Sequence, residues 1–250
     1  MHGYALFKQP FKLSLLLTCL LFLQPLFADE IRIAVASNFT FAIKVLAQKF
    51  EAQSTHKTKL IFGATGRHYA QIKNGAPFDI FFSADSKRPE LLEKQGLTVA
   101  DSRFTYALGK LVLWSPKLGV TKSGAFYHIA MANPKLAPYG KAAQQVLQKQ
   151  PAWWEQIKPK IVRGENIAQT FQFVKSGNAE LGYVALSQVK HLDKNEQGSL
   201  EIIEESLYSP IEQQAVLLNN KAAAKEFLDF IKADEAQALI KGFGYGTKRQ

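Results

Sequence analysis

From Ile31 onward the chain alternates short β-rich runs with stretches of helical period, and this alternation restricts it to an α/β fold. Residues 31–36 read as a strand. Phe39, Ile43, Leu46 and Phe50 then recur at spacings of four, three and four, which makes one apolar helix face. The stretch 59–62 is a second strand, and the helical stretch after it carries Tyr69 and Ile72 and ends at Asn74-Gly75. A third strand over 79–83 leads to a helix over 89–95, with Pro89 suited to its first turn. Further strands are expected over 111–114, 128–132, around Ile161-Val162, over 181–185 and over 212–218. Helices are expected over 142–147, opening after Pro138-Tyr139-Gly140, along the face Ile167, Phe171 and Val174, and over 222–233 and 235–241. Length allows one large domain or two. No Pro/Gly/Ser-rich linker marks a boundary, so two domains would be joined by crossing strands, with the regions of Leu111 and Gln214 as candidates.

The first 28 residues read as a leader outside this pattern. His2, Lys8 and Lys12 give a basic start, an apolar run spans 13–23, and Leu26-Phe27-Ala28 offers a small residue for cleavage before Asp29. A membrane anchor needs about 20 apolar residues, whereas this run stops at Gln24-Pro25 after eleven. A cleavable signal peptide and a periplasmic location are therefore expected. The single cysteine, Cys19, lies inside the leader, so the mature chain must be held by its apolar core and not by disulfides. Apolar residues make up 47% of the sequence, which suffices for such a core.

The formal charge of +10 falls to about +8 once Lys8 and Lys12 leave with the leader. The excess is scattered, with no run of five basic residues and no aromatics interleaved with them, so nucleic acid is not an expected partner. A basic field would still raise the local concentration of anions.

The informative residues lie where strands give way to helices: Ser37-Asn38-Phe39-Thr40, Gly63-Ala64-Thr65-Gly66, Asn133-Pro134 with Pro138-Tyr139-Gly140, and Gly164-Glu165-Asn166. Helix starts present unpaired N–H groups and a partial positive charge, and several converging on one cleft bind an anion without a fixed cation. In open α/β sheets the ligand lies beyond the carboxyl ends of the strands, where these loops are. Taken singly, Ser37 or Asn38 reads as an N-cap and Thr65 as a turn residue. Their number and common location carry the functional reading.

Catalytic patterns are missing. His56, His68, His128 and His191 are too widely spaced for a paired zinc ligand set, and there is no GxSxG elbow, Walker A loop or GxGxxG fingerprint. Asp79 and Asp85 are expected to be structural. No enzyme activity, cofactor or direct protein–metal ligand is expected.

Several stretches together resemble the periplasmic molybdate-binding proteins of ABC importers. They are residues 33–40, Gly63-Ala64-Thr65-Gly66, the run 69–85 with Asn74-Gly75-Ala76-Pro77 and Ser83-Ala84-Asp85, residues 103–107, 109–114, 132–134, 137–140 and 181–185. The likeness spans essentially the whole mature chain. It implies a two-lobed periplasmic binding-protein fold of the second type, each lobe a sheet flanked by helices with the ligand between them. By that likeness residues 29–110 and 209–250 form the first lobe and 111–208 the second. The same resemblance implies that Ser37, Asn38 and Thr65 meet the oxyanion from the first lobe, and from the second Tyr139, by hydroxyl or backbone, and Ile167, by its backbone N–H. The implied ligand is molybdate or tungstate, the implied partner a membrane ABC permease, and the implied state a monomer.

Such a site suits a fully deprotonated dianion, whose oxygens only accept. Hydrogen phosphate carries a proton that would meet no acceptor, at an unmatched cost of about 1–3 kcal/mol. Sulfate is also unprotonated, and only cavity size would exclude it. Many relatives carry a tyrosine where this chain has Val184-Ala185-Leu186, so Tyr139 is expected to replace that group. Arg67 and His68 are expected to point to solvent from the first turn of a helix. The alternatives are sulfate, another oxyanion or a metal ion on the same fold, a hydrolase or transferase using the cleft, and a basic surface-adhesion module.

Overall fold

The computed structural model describes residues 1–3 and 29–246. The leader expected over 1–28 falls, apart from its first three residues, outside the described residues.

β1 (Glu30–Ala36) leads through a 3-10 turn, Ser37–Phe39, into α1 (Thr40–Gln53). β2 (Lys57–Gly63), α2 (Thr65–Lys73), β3 (Ile80–Ser83), α3 (Lys87–Lys94) and β4 (Phe104–Gly109) follow. After Lys110 the chain enters a second set: β5 (Leu111–Ser115), β6 (Ile129–Ala132), α4 (Pro138–Gln148), α5 (Pro151–Ile157), β7 (Ile161–Gly164), α6 (Ile167–Lys175), β8 (Leu181–Ala185), α7 (Leu186–Val189) and β9 (Ser199–Ile202). It closes with β10 (Ile211–Leu217), α8 (Ala222–Lys232) and α9 (Asp234–Gly242).

The strands form two five-stranded sheets, ordered β2-β1-β3-β10-β4 and β7-β6-β8-β5-β9. In the first, β1 runs parallel to β2 and β3 while β10 is antiparallel to β3 and β4. The second repeats the arrangement, with β6 parallel to β7 and β8 and β5 antiparallel to β8 and β9. Helices cover the faces of both sheets, which is the two-lobed α/β architecture expected from the sequence.

Burial explains the apolar runs. Ile31, Ile33 and Val35 on one face of β1 pack with Phe39, Ile43, Leu46 and Phe50 and with Phe227 and Ile231 of α8. Ala34 on the other face meets Phe81, Ile72 of α2 and Leu92 of α3. Strands covered on both sides lose the in–out alternation of a half-exposed sheet. Each fully buried Ile, Leu or Phe contributes about 1.5–3 kcal/mol relative to exposure.

Four elements were not expected from the sequence: β4, α5, β9 and the short α7. β4 pairs with β10, about a hundred residues away, and through Leu108 with Gly246, farther still, so nothing local announces it. β9 is mostly exposed, and α5 buries only Trp153 and Ile157. Most boundaries shift by one or two residues, and the largest shift is at α4, which begins at Pro138, so Tyr139 and Gly140 lie inside the helix. Proline lacks the N–H that a first helical residue leaves unpaired, and its fixed φ suits that position.

Candidate functional site

Ser37, Asn38, Thr65, Tyr139 and Ile167 are each 5% exposed or less. Counting donors at the helix starts shows what this burial leaves open. At α2, Ala64 has no capping side chain. Arg67 and His68 donate their N–H groups to Ala64 O, and Gly66 donates to Leu136 O at 2.9 Å. The Thr65 N–H has no partner among the described residues. At α6, Asn166 Oδ1 caps Gln169 N at 3.0 Å, Thr170 N bonds Asn166 O, and Ala168 N reaches Ser37 Oγ at 3.4 Å. Here the Ile167 N–H is left. At α4, Pro138 has no N–H and Lys141 N bonds Ala137 O, leaving those of Tyr139 and Gly140.

Side-chain protons follow the same pattern. Thr65 Oγ1 accepts from Ala84 N at 3.1 Å, so its own proton remains available. Ser37 Oγ donates across the sheet boundary to Asn166 Oδ1 at 3.2 Å. Asn38 uses both Nδ2 protons internally, on Gln213 Oε1 at 2.8 Å and the Tyr245 hydroxyl at 3.1 Å, which leaves its backbone N–H as the donor it can offer a ligand. The Tyr139 hydroxyl accepts from Gln213 Nε2 at 3.2 Å. Burial, above all, raises the pKa of Tyr139, Tyr106 and Tyr245, so each keeps its proton at neutral pH.

The elements of the two sheets meet on more than one side of these residues. Gly66 N to Leu136 O and Arg88 Nη2 to Lys135 O (3.1 Å) join them on one side. Ser187 Oγ to Asn38 O (3.3 Å) and the Phe41 and His191 rings, tilted with centroids 3.6 Å apart, join them elsewhere. The arrangement is closed.

No charged side chain bonds any of the five residues among the described contacts. Arg67 is 66% exposed and pairs with Glu165 of the opposite sheet at 3.5 Å. Arg88 pairs with Asp85. Asp79 accepts Arg32 N at 2.7 Å and Asn219 Nδ2 at 2.8 Å, a structural use of its carboxylate. His68 corrects the sequence reading. It is buried, with Nε2 3.1 Å from Val35 O and Nδ1 3.1 Å from Gln71 Oε1. Gly63 makes room for it, since a Cβ there would stand 2.9 Å from Nε2. Desolvation lowers the His68 pKa, and the ring is neutral.

Sequence reasoning missed Gln213, Tyr245, Ser187 and Gln188. Gln188 spans Ala185 N and Ile167 O, both at 3.1 Å, and ties the end of β8 to the start of α6. Gln213 had one signal: the polar triplet Glu212-Gln213-Gln214 inside an otherwise apolar strand. A groove of about 700 Å³ runs from Gly66 and Ala84 to Ile211 and Glu212, but it does not include the five residues. Among the described residues no three His, Cys, Asp or Glu side chains converge to hold a metal ion.

Residues 31–246 match the model of the family described as bacterial extracellular solute-binding protein. The chain is 50% identical to a protein of Azotobacter vinelandii named Molybdate-binding protein ModA, over 88% of this chain and 91% of the relative. A protein of the same name from Rhodobacter capsulatus is 44% identical, over 90% and 91%. Among solved structures, the Azotobacter vinelandii periplasmic molybdate-binding protein superposes with a TM-score of 0.82 at 38% identity, covering 88% of this chain and all of that one. With a family match across both sheets and relatives of this identity and coverage, the chain belongs to the bacterial extracellular solute-binding proteins.

Proposed function

We propose that the protein captures a fully deprotonated tetrahedral oxyanion, molybdate or tungstate, outside the cytoplasm and delivers it to a membrane ABC permease. The observation that carries this reading is the set of uncommitted donors, the N–H groups of Asn38, Thr65, Tyr139, Gly140 and Ile167 and the hydroxyl protons of Thr65 and Tyr139, each on a buried residue that no charged side chain bonds. Helix starts of this kind stabilise an anion through directed N–H groups and the aligned peptide dipoles. The relatives' names point to molybdate as the cargo.

In this reading Ser37, Asn38 and Thr65 hold the anion from a lobe of residues 29–110 and 209–250, and Tyr139 and Ile167 hold it from a lobe of residues 111–208. Lys110 and the segment between β9 and β10 are the crossings about which the lobes open. The Ser37–Asn166 bond gives way as the anion takes the Ser37 proton. The precursor is exported by its cleaved leader, and the mature protein acts as a monomer with no catalytic step and no cofactor.

Ligand that binds only the native state raises the melting temperature by mass action. A thermal-shift screen of refolded, ligand-free protein should show a large rise with molybdate or tungstate and little with phosphate. Thr65→Ala should reduce the molybdate shift while leaving the ligand-free melting temperature nearly unchanged. Equal shifts with sulfate and molybdate would overturn the assignment of the cargo.

A further inference from the structure

The Gln213 side chain is fully buried on β10, where the pairing with β4 shifts register between Gln213 and Gln214. Its carboxamide is the middle link in a run of buried polar groups. At one end the Tyr245 hydroxyl donates to the Asn38 carbonyl at 2.8 Å, so toward the Asn38 side chain, 3.1 Å away, it accepts. The Asn38 NH2 group therefore faces Tyr245, and its second proton goes to Gln213 Oε1 at 2.8 Å. The Tyr106 hydroxyl lies 2.9 Å from the same Oε1 and 3.1 Å from Ser83 O, its one proton shared between them. With Oε1 committed to these donors, Nε2 faces Tyr139 at 3.2 Å and donates to it. Gly109 leaves the space for this contact: a Cβ there would lie 2.3 Å from the Tyr139 oxygen and 2.7 Å from Gln213 Nε2.

We infer that Gln213 is a positioning residue that makes Tyr139 a one-way donor, its oxygen accepting from Gln213 and its proton aimed at the bound anion. The inference rests on the oxyanion reading above. It deepens that reading by naming what keeps this group of the site from accepting. A bare oxygen of the cargo takes the Tyr139 proton, whereas a protonated oxyanion finds the Tyr139 oxygen already engaged. Gln213 itself touches no ligand and acts through Tyr139.

A double-mutant cycle on the full mature protein tests this, with sodium molybdate titrated calorimetrically into Gln213→Met, Tyr139→Phe and the double variant. Removing a buried hydrogen bond of this kind weakens binding by about tenfold. Tyr139→Phe is expected to lose about that factor and Gln213→Met about three- to tenfold, while the double variant falls within about twofold of Tyr139→Phe alone. Gln213→Asn, whose amide is one methylene shorter, repeats the cycle should the methionine variant not fold. Losses that multiply, or Gln213 variants that bind as the parent does, overturn the inference while leaving the oxyanion reading intact. A parent that binds no molybdate removes that reading and the inference with it.

Discussion

Ser37 Oγ lies 3.2 Å from Asn166 Oδ1, joining the end of β1 in one sheet to the start of α6 in the other. Asn166 is at once the cap of α6 and a closure contact, because the same oxygen accepts from Gln169 N at 3.0 Å. Losing such a cap typically costs about 1 kcal/mol. Asn166→Ala should therefore lower the unfolding free energy by about that amount in urea denaturation. A variant as stable as the parent would remove Asn166 from the cap.

Gly109 is tested by adding one methyl group. A Cβ 2.3 Å from the Tyr139 oxygen forces Tyr139 or β4 to move, and overpacking of this kind costs about 1–3 kcal/mol. Gly109→Ala should lower the melting temperature and weaken molybdate binding in titration. Unchanged affinity would mean that the place of the Tyr139 hydroxyl does not matter to the ligand.

The sequence made the α/β alternation legible because β1, β3 and β8 are covered on both faces and their helices carry one apolar stripe. The junction residues were legible too, since small and hydroxyl side chains cluster where strands end. What lay beyond local pattern was long-range pairing. β4 exists through β10, and Gln213 matters because it meets Asn38, 175 positions away. His68 was misjudged because a polar residue in a first helical turn reads as exposed, whereas the cavity that buries it depends on Gly63 having no side chain.

Arg67 offers a clean test of the cation-free site. Its guanidinium is largely exposed and pairs with an equally exposed Glu165, and exposed pairs are worth little once water and salt screen them. Arg67→Ala should change molybdate affinity by less than about threefold in 150 mM salt. A loss of a hundredfold would place the charge inside the site.

Burial holds the His68 imidazole below its ordinary pKa of 6.5, helped by the nearby Arg67 charge and opposed by the bonds to Gln71 and Val35. As pH falls through that value the unfolded chain takes up the proton first, so stability is full above about pH 6.5 and is lost below it. Melting temperature should drop between pH 7.5 and pH 5, and His68→Gln should make that drop shallower. A residual slope is expected from His191, whose pKa burial also lowers. Parallel curves for parent and variant would contradict the neutral, buried assignment.

In the proposed function a cation-free site of uncommitted donors selects a deprotonated tetrahedral anion. Isothermal titration of ligand-free protein with molybdate, sulfate and phosphate at pH 7.5 tests it most directly. Tight one-to-one binding of molybdate, with phosphate at least about a hundredfold weaker, is the predicted result, a gap of about 2.7 kcal/mol. Phosphate binding as tight as molybdate binding would contradict it.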